Sequence, residues 1–163
     1  WRQNPRRLRA EQVRDALLAT SGELDRRAGG PSDDADSPRR TVYHKVRRNA
    51  IDPLLATFDV ADGQNCIAKR YVTTTPTQAL LTANSPWMQE RAAALAERLA
   101  EEHQDDRGQQ VAAAYLLAFA RPALDVELAE GVGFLEQSYG APADLLVDFC
   151  HVLLSANEFI YLD

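Results

Sequence analysis

At Asp52-Pro53, Thr75-Pro76 and Ser85-Pro86 a proline directly follows a residue able to cap a helix and leads into helix-forming sequence. Proline lacks an amide hydrogen and holds φ near the helical value, so it suits the first helical position and is costly deeper inside. An Asp, Ser or Thr ahead of it can accept a hydrogen bond from the open N–H groups of the first turn. The spacing therefore predicts helices opening at 53, 76 and 86. Gln78 stands third in the second of these, where its side chain can bond back to Thr75 and complete a capping box. Pro142 marks a further start.

Apolar stripes agree with this punctuation. Met88, Ala92, Leu95 and Leu99 recur at helical spacing over about 86–102. Ala10, Val13, Leu17 and Leu24 do so near the beginning, with Gly22 as a stop. Val111, Tyr115 and Phe119 mark a helix ending at Arg121-Pro122, Leu128, Val132 and Leu135 the next, and Leu145, Leu146, Phe149, Val152 and Leu153 the last. Residues 28–38 are small, polar and acidic and read as an exposed loop. Thr41–Val46 alternates, with Val42, His44 and Val46 on one face, and is read as a strand. It either pairs with something outside this chain or runs as an extended connector over the helices. The expected fold is thus mainly α, a helical bundle-like body with one short extended segment or strand near residues 41–46. No fixed-period repeat suggests a solenoid.

At 163 residues the chain has the length of one domain and needs no disulfide staples. Its apolar runs are far shorter than the ~18 residues of a membrane span. The net charge of −6 is uneven. Residues 1–48 carry 12 basic and 7 acidic side chains, and residues 49–163 carry 6 and 17. The expectation is a single helical domain, with a basic leading segment over 1–48 and an acidic helical body over 49–163. Two dense spots, Arg2–Arg9 and Arg39–Arg48, could be a footprint for an anionic polymer. The acidic total and the scarcity of interleaved aromatics disfavour nucleic acid.

Known chemistries each demand a particular residue spacing. Haem attachment needs C-x-x-C-H, and Cys150-His151 is preceded by Val147 where the first cysteine belongs. His44, His103 and His151 are scattered, and Asp148 with His151 at i, i+3 lacks a third ligand, so no metal site is expected. No G-x-S-x-G elbow, phosphate loop or dinucleotide fingerprint is present. Cys66 lies near Lys69 and Arg70 and is the better nucleophile candidate. Cys150 reads as core filler. A disulfide between the two stays open. Asp59 and Asp62 flank a turn and are read as bonding its amides.

A set of motifs carries a family resemblance. They are Trp1-Arg2-Gln3-Asn4-Pro5-Arg6-Arg7-Leu8, Arg40-Thr41-Val42-Tyr43, Arg48-Asn49, Phe58-Asp59, Cys66–Leu80, Asn84-Ser85-Pro86 and Asn157–Asp163. In order and spacing they resemble the C-terminal domain of unknown function of the large exported planctomycete-type cytochrome-c-associated proteins. The resemblance implies an exported protein of the periplasm or cell envelope. It implies a c-type haem, where present, in another domain and no cofactor in this segment. It also implies that the chain starts inside the domain, consistent with Trp1 at its head, so that the N-terminal part of the same protein is the expected partner. The family pattern would place a proline near Ala61 and a Thr or Ser cap at Leu124, where Asp125 could cap instead.

Three functional readings follow. The first is a docking or scaffold domain. The second is an enzyme domain acting on an extracellular polymer, with Arg40, Arg48 and Arg70 holding an anionic group and Asp59 or Glu158 as base. The third is an anionic-polymer module using the basic segment. The alternative role for the same polar residues is a network tying turns together.

Overall fold

The computed structural model describes residues 6–47, 49–61, 63, 66, 68–137 and 141–162. Its helices are α1 (Ala10–Ser21), α2 (Pro53–Thr57), α3 (Pro76–Asn84), α4 (Pro86–His103), α5 (Arg107–Phe119), α6 (Asp125–Leu135), α7 (Pro142–Ser155) and α8 (Asn157–Ile160). Two short strands, β1 (Arg6–Arg7) and β2 (Tyr161–Leu162), pair antiparallel. The fold is mainly helical, as the capping and stripe patterns require. Among the described residues no helix is long and apolar enough to cross a membrane.

The starts sit where the prolines put them, though not every cap forms. Asp52 accepts a hydrogen bond from the Leu55 N–H at 3.1 Å. At α3 the return half of the box is made, with Thr75 N–H donating to Gln78 Oε1 at 3.4 Å. The Thr75 hydroxyl does not cap. Ser85 contributes its carbonyl, which accepts from Met88 and Gln89, rather than its side chain. α1 ends one residue before Gly22, whose φ of +85° is open to glycine and strained for other residues. Leu24 therefore lies beyond the helix whose stripe it extended.

α4 is the hub. Met88, Ala92, Leu95, Ala96 and Leu99 are buried along one side, and α7, α1 and α5 pack around it. The alanines let neighbouring backbones approach, while each buried Met or Leu contributes about 1.5–3 kcal/mol relative to exposure. α7 adds Leu145, Leu146, Phe149, Cys150, Leu153 and Leu154. α5 and α6 meet at Gly131, where an added Cβ would lie 2.8 Å from Val111 Cγ1. Tyr115, Phe119, Phe134 and Phe149 form an aromatic layer beside that contact, with centroids 5.4–6.4 Å apart.

The segment near 41–46 departs from the alternating strand expected there. Thr41–Tyr43 is a single 3-10 turn. From His44 the chain is extended, and Tyr43 O and Lys45 N bond the backbone of Asp33 at 2.9 and 2.8 Å. Asp15 of α1 is the cause. Its Oδ1 accepts from both the amide and the hydroxyl of Thr41, at 2.8 and 2.6 Å, and pulls the backbone into the turn. Val42 and Val46 consequently face solvent instead of sharing a buried face. The segment is a connector over the helical body, not a strand awaiting a partner. The true sheet lies elsewhere, pairing Arg6 with Leu162 and Arg7 with Tyr161, and extended by Leu8 N–H to Ile160 O at 2.8 Å.

The acidic loop before it is organised from within. Arg39 is 2% exposed and donates to the carbonyls of Pro31, Arg27 and Gly29 and to Asp33 Oδ2, with its guanidinium 4.2 Å over the Tyr43 ring. Arg14, equally buried, donates to the carbonyls of Ala35, Ser37 and Arg39. Two arginines thus fold a segment whose composition reads only as loop.

Candidate functional site

Of the five residues nominated from sequence, Arg48 lies outside the described residues. Arg40 is exposed and reaches Asp15 Oδ2 at 3.6 Å. Glu158 of α8 does not line the cleft described below, and both its oxygens accept from Arg121, at 2.5 and 2.9 Å. Arg121 simultaneously holds Glu127 at 2.7 and 2.8 Å and lies over Tyr115 and Phe119. Among the four described members of the set, Asp59 and Arg70 alone come together, in a cleft of about 400 Å³ beside β1. The nominated set therefore does not form one catalytic constellation.

The cleft is built from two stretches. Arg6, Arg7 and Arg9 come from β1 and the turn into α1, and Ala68–Val72 from the connection between α2 and α3, with Phe58 and Asp59 between them. The β1–β2 pairing fixes the first stretch. Asp59 fixes the second, accepting from the Thr73 amide at 2.8 Å and the Thr73 hydroxyl at 2.9 Å. Asp59 itself adopts φ +61°, a left-handed turn that Asp tolerates better than most residues. Gln78 braces the same turn, donating to Thr57 O and Thr73 O at 3.0 and 3.1 Å. Asp62, the other turn carboxylate considered, lies outside the described residues.

Arg7 crosses the wall of the cleft. Its Nη2 donates to Asp59 Oδ2 at 2.6 Å and to Phe58 O at 3.3 Å, and its guanidinium lies 5.3 Å over the Phe58 ring. Its side chain is 2% exposed. Among the described residues, Nε and Nη1 have no hydrogen-bond partner. A buried donor left without a partner costs about 1–3 kcal/mol. Arg70 is held by Glu11 at 2.7 and 2.9 Å. Arg6, Arg9 and Lys69 form no ion pair among the described residues. The lining therefore carries more positive charge than Asp59 and Glu11 neutralise.

Burial works to raise the Asp59 carboxyl, but the Thr73 amide and hydroxyl and the Arg7 guanidinium outweigh it and hold it below the usual carboxylate range. A carboxylate so stabilised is a weak base at neutral pH. Glu158 has both oxygens occupied by the Arg121 guanidinium. What the cleft offers is anion recognition: fixed cations, buried donors and an exposed apolar rim at Tyr71 and Val72.

Elsewhere the nucleophile and metal candidates separate. Cys66 is exposed and Cys150 buried, and both are free thiols. Burial pushes the Cys150 thiol up to about 12, so it is neither a nucleophile nor suited to thioether attachment of a haem. With Val147 upstream, the residues at 147–151 do not fit a haem. His151 Nε2 lies 2.9 Å from Thr82 O and ties α7 to α3. Among the described residues no three His, Cys, Asp or Glu side chains converge as a metal site would require. The missing cap at Leu124 is supplied by Glu127, whose Oε2 accepts from the Leu124 amide at 2.7 Å, not by Asp125.

The family model described as "PSD1: Protein of unknown function (DUF1553)" matches residues 1–135, which include both stretches of the cleft. The chain belongs to the PSD1 family. α7, α8 and β2 lie beyond the matched residues, yet they complete the core and pair with β1. No curated protein and no solved structure matches the chain.

The sequence drew attention to the Arg2–Arg9 spot and to Lys69-Arg70 separately. Their meeting depends on β1–β2 and on the Asp59 turn, neither of which leaves a local pattern. Arg7 and Arg9 could have been weighed as site residues on density of charge alone.

Proposed function

We propose that this chain is a helical docking domain within a large exported protein of the planctomycete-type cytochrome-c-associated kind, and that the cleft beside β1 receives the neighbouring N-terminal part of that protein. The observation that carries this reading is the contrast in how charge is used. Arg14, Arg39, Arg121, Asp15 and Asp59 are spent on holding loops and helix ends together. Among the described residues, the cleft combines cations without ion pairs, a buried guanidinium with idle donors and exposed apolar side chains. That mixture suits a protein partner, since polar and charged groups set register while an aromatic anchor supplies contact area. In this reading the haem, where the larger protein has one, belongs to a separate domain, and the protein resides in the periplasm or cell envelope.

The chain has two lysines, Lys45 and Lys69. Lys45 is paired with Asp34 at 3.4 Å on the connector, and Lys69 lies in the cleft. Amine cross-linking of the larger protein therefore has a built-in control. Lys69 is expected to link to lysines outside this chain, and Lys45, on the connector away from the cleft, is expected not to. Links from Lys69 confined to this chain would remove the docking reading.

A further inference from the structure

We propose that the occupant of the cleft is a short, carboxylate-rich peptide segment, an inference that rests on the docking reading and names its partner chemistry. The charge balance points to an anion. Arg6, Arg9 and Lys69 stand without ion pairs among the described residues, while Arg7 and Arg70 are each only partly neutralised, by Asp59 and Glu11. Arg7 adds the second, independent observation. Its side chain is almost wholly buried in the cleft wall, and Nε and Nη1 find no partner among the described residues. With Nη2 taken by Asp59 and Phe58 O, Nε and Nη1 lie on different edges of the guanidinium, and each is a single charge-assisted donor for a carboxylate oxygen.

Size and rim decide which anion. At about 400 Å³ the cleft lies at the small end of ligand pockets, a size for a few side chains rather than a helix. Tyr71 is 76% exposed and Val72 64% exposed at its edge. An aromatic and an aliphatic group beside cations offer nothing to a bare phosphate but pack against a peptide's backbone and side-chain stems. A long polyanion would have to run past the acidic body, which carries 17 acidic side chains against 6 basic ones. A short acidic segment gains the cations of the cleft and avoids that repulsion.

Fluorescence anisotropy on the intact chain, with fluorescein-labelled hexaglutamate as probe, tests this. Saturable binding that weakens with added salt is expected. Arg9 and Lys69 are exposed, so Arg9→Gln and Lys69→Gln leave the fold in place, which an unchanged melting curve verifies. Each exposed charge supplies up to about a fivefold effect, so the double variant is expected to weaken binding about tenfold. Arg26→Gln, a charge removal outside the cleft, is expected to change it less than about twofold. No saturable binding, an equal loss with Arg26→Gln, complete displacement by low-millimolar inorganic phosphate, or tighter binding of a dodecathymidine strand would each overturn the proposal. Lys69 cross-links to another part of the larger protein, together with no hexaglutamate binding, would overturn the acidic occupant and leave docking standing. Failure of both experiments would remove both.

Discussion

Arg39 enters the interior with its charge intact, and residues 27–33 are arranged around it. Four of its N–H bonds are used, three by backbone carbonyls, so the side chain replaces the regular structure that the loop lacks. Nothing local in the sequence separates Arg39 from its exposed neighbour Arg40, because burial is set by Tyr43 and by the carbonyls that turn inward. Arg39→Ala is expected to cost about 2–4 kcal/mol in urea unfolding, since a buried side chain and its four hydrogen bonds to part-buried acceptors are lost at once. A change under about 0.5 kcal/mol would show that the loop is ordered by other means. Glu127 makes a separate prediction about acid. The Arg121 guanidinium, then the Leu124 amide, lower its carboxyl from 4.5 to about 2. The folded value lies below the unfolded one, so its stabilising contribution is complete above about pH 4.5 and is lost as pH falls towards 2. In thermal melts across that window, Glu127→Gln should show a shallower fall in melting temperature than the parent. Parallel curves would contradict the assignment.

At the scale of elements, the helices were the legible part because their signals are local. A cap, a proline and a stripe lie within one turn or along one face, and Pro53, Pro76 and Pro86 each open a helix. The alternation at 41–46 misled because Asp15, far away in sequence, captures Thr41 through two hydrogen bonds. β1 and β2 were invisible for the opposite reason. Two residues are too few for a period, and their pairing joins segments more than 150 positions apart. Gly131 was equally silent, although the α5–α6 contact depends on it. Gly131→Ala is expected to destabilise by about 1–3 kcal/mol, as its methyl meets Val111 at 2.8 Å. Gly133→Ala, two residues along the same helix with nothing within 4 Å, should stabilise by up to about 1 kcal/mol through helix propensity. Equal effects of the two substitutions in denaturant unfolding would mean that α6 does not sit as closely on α5 as described.

Across the whole molecule, the charge asymmetry of the sequence resolves into a division of labour. Arg39, Arg40, Lys45 and Arg47 find Asp33, Asp15 and Asp34 within their own part of the chain. Among the described residues, the ion pairs that join the two parts are fewer, at Arg7–Asp59, Glu11–Arg70 and Glu23–Arg91. Two of these three border the cleft, so the candidate site lies where the leading segment is tied to the helical body. The sequence named two of its residues, Asp59 and Arg70, and grouped them with Arg40 and Glu158, which lie elsewhere. Charge and motif can nominate residues, but only the β1–β2 pairing and the Asp59 turn say which of them meet.

Docking at this cleft has a direct readout in backbone exchange. Residues 68–72 are exposed or half-exposed on the cleft rim and belong to no helix or strand. Hydrogen–deuterium exchange is to be compared between this chain alone and the same residues within the larger protein. The account predicts slower exchange at 68–72 in the larger protein, with the connector at 45–47 unchanged. Equal exchange at 68–72 in the two forms would contradict it.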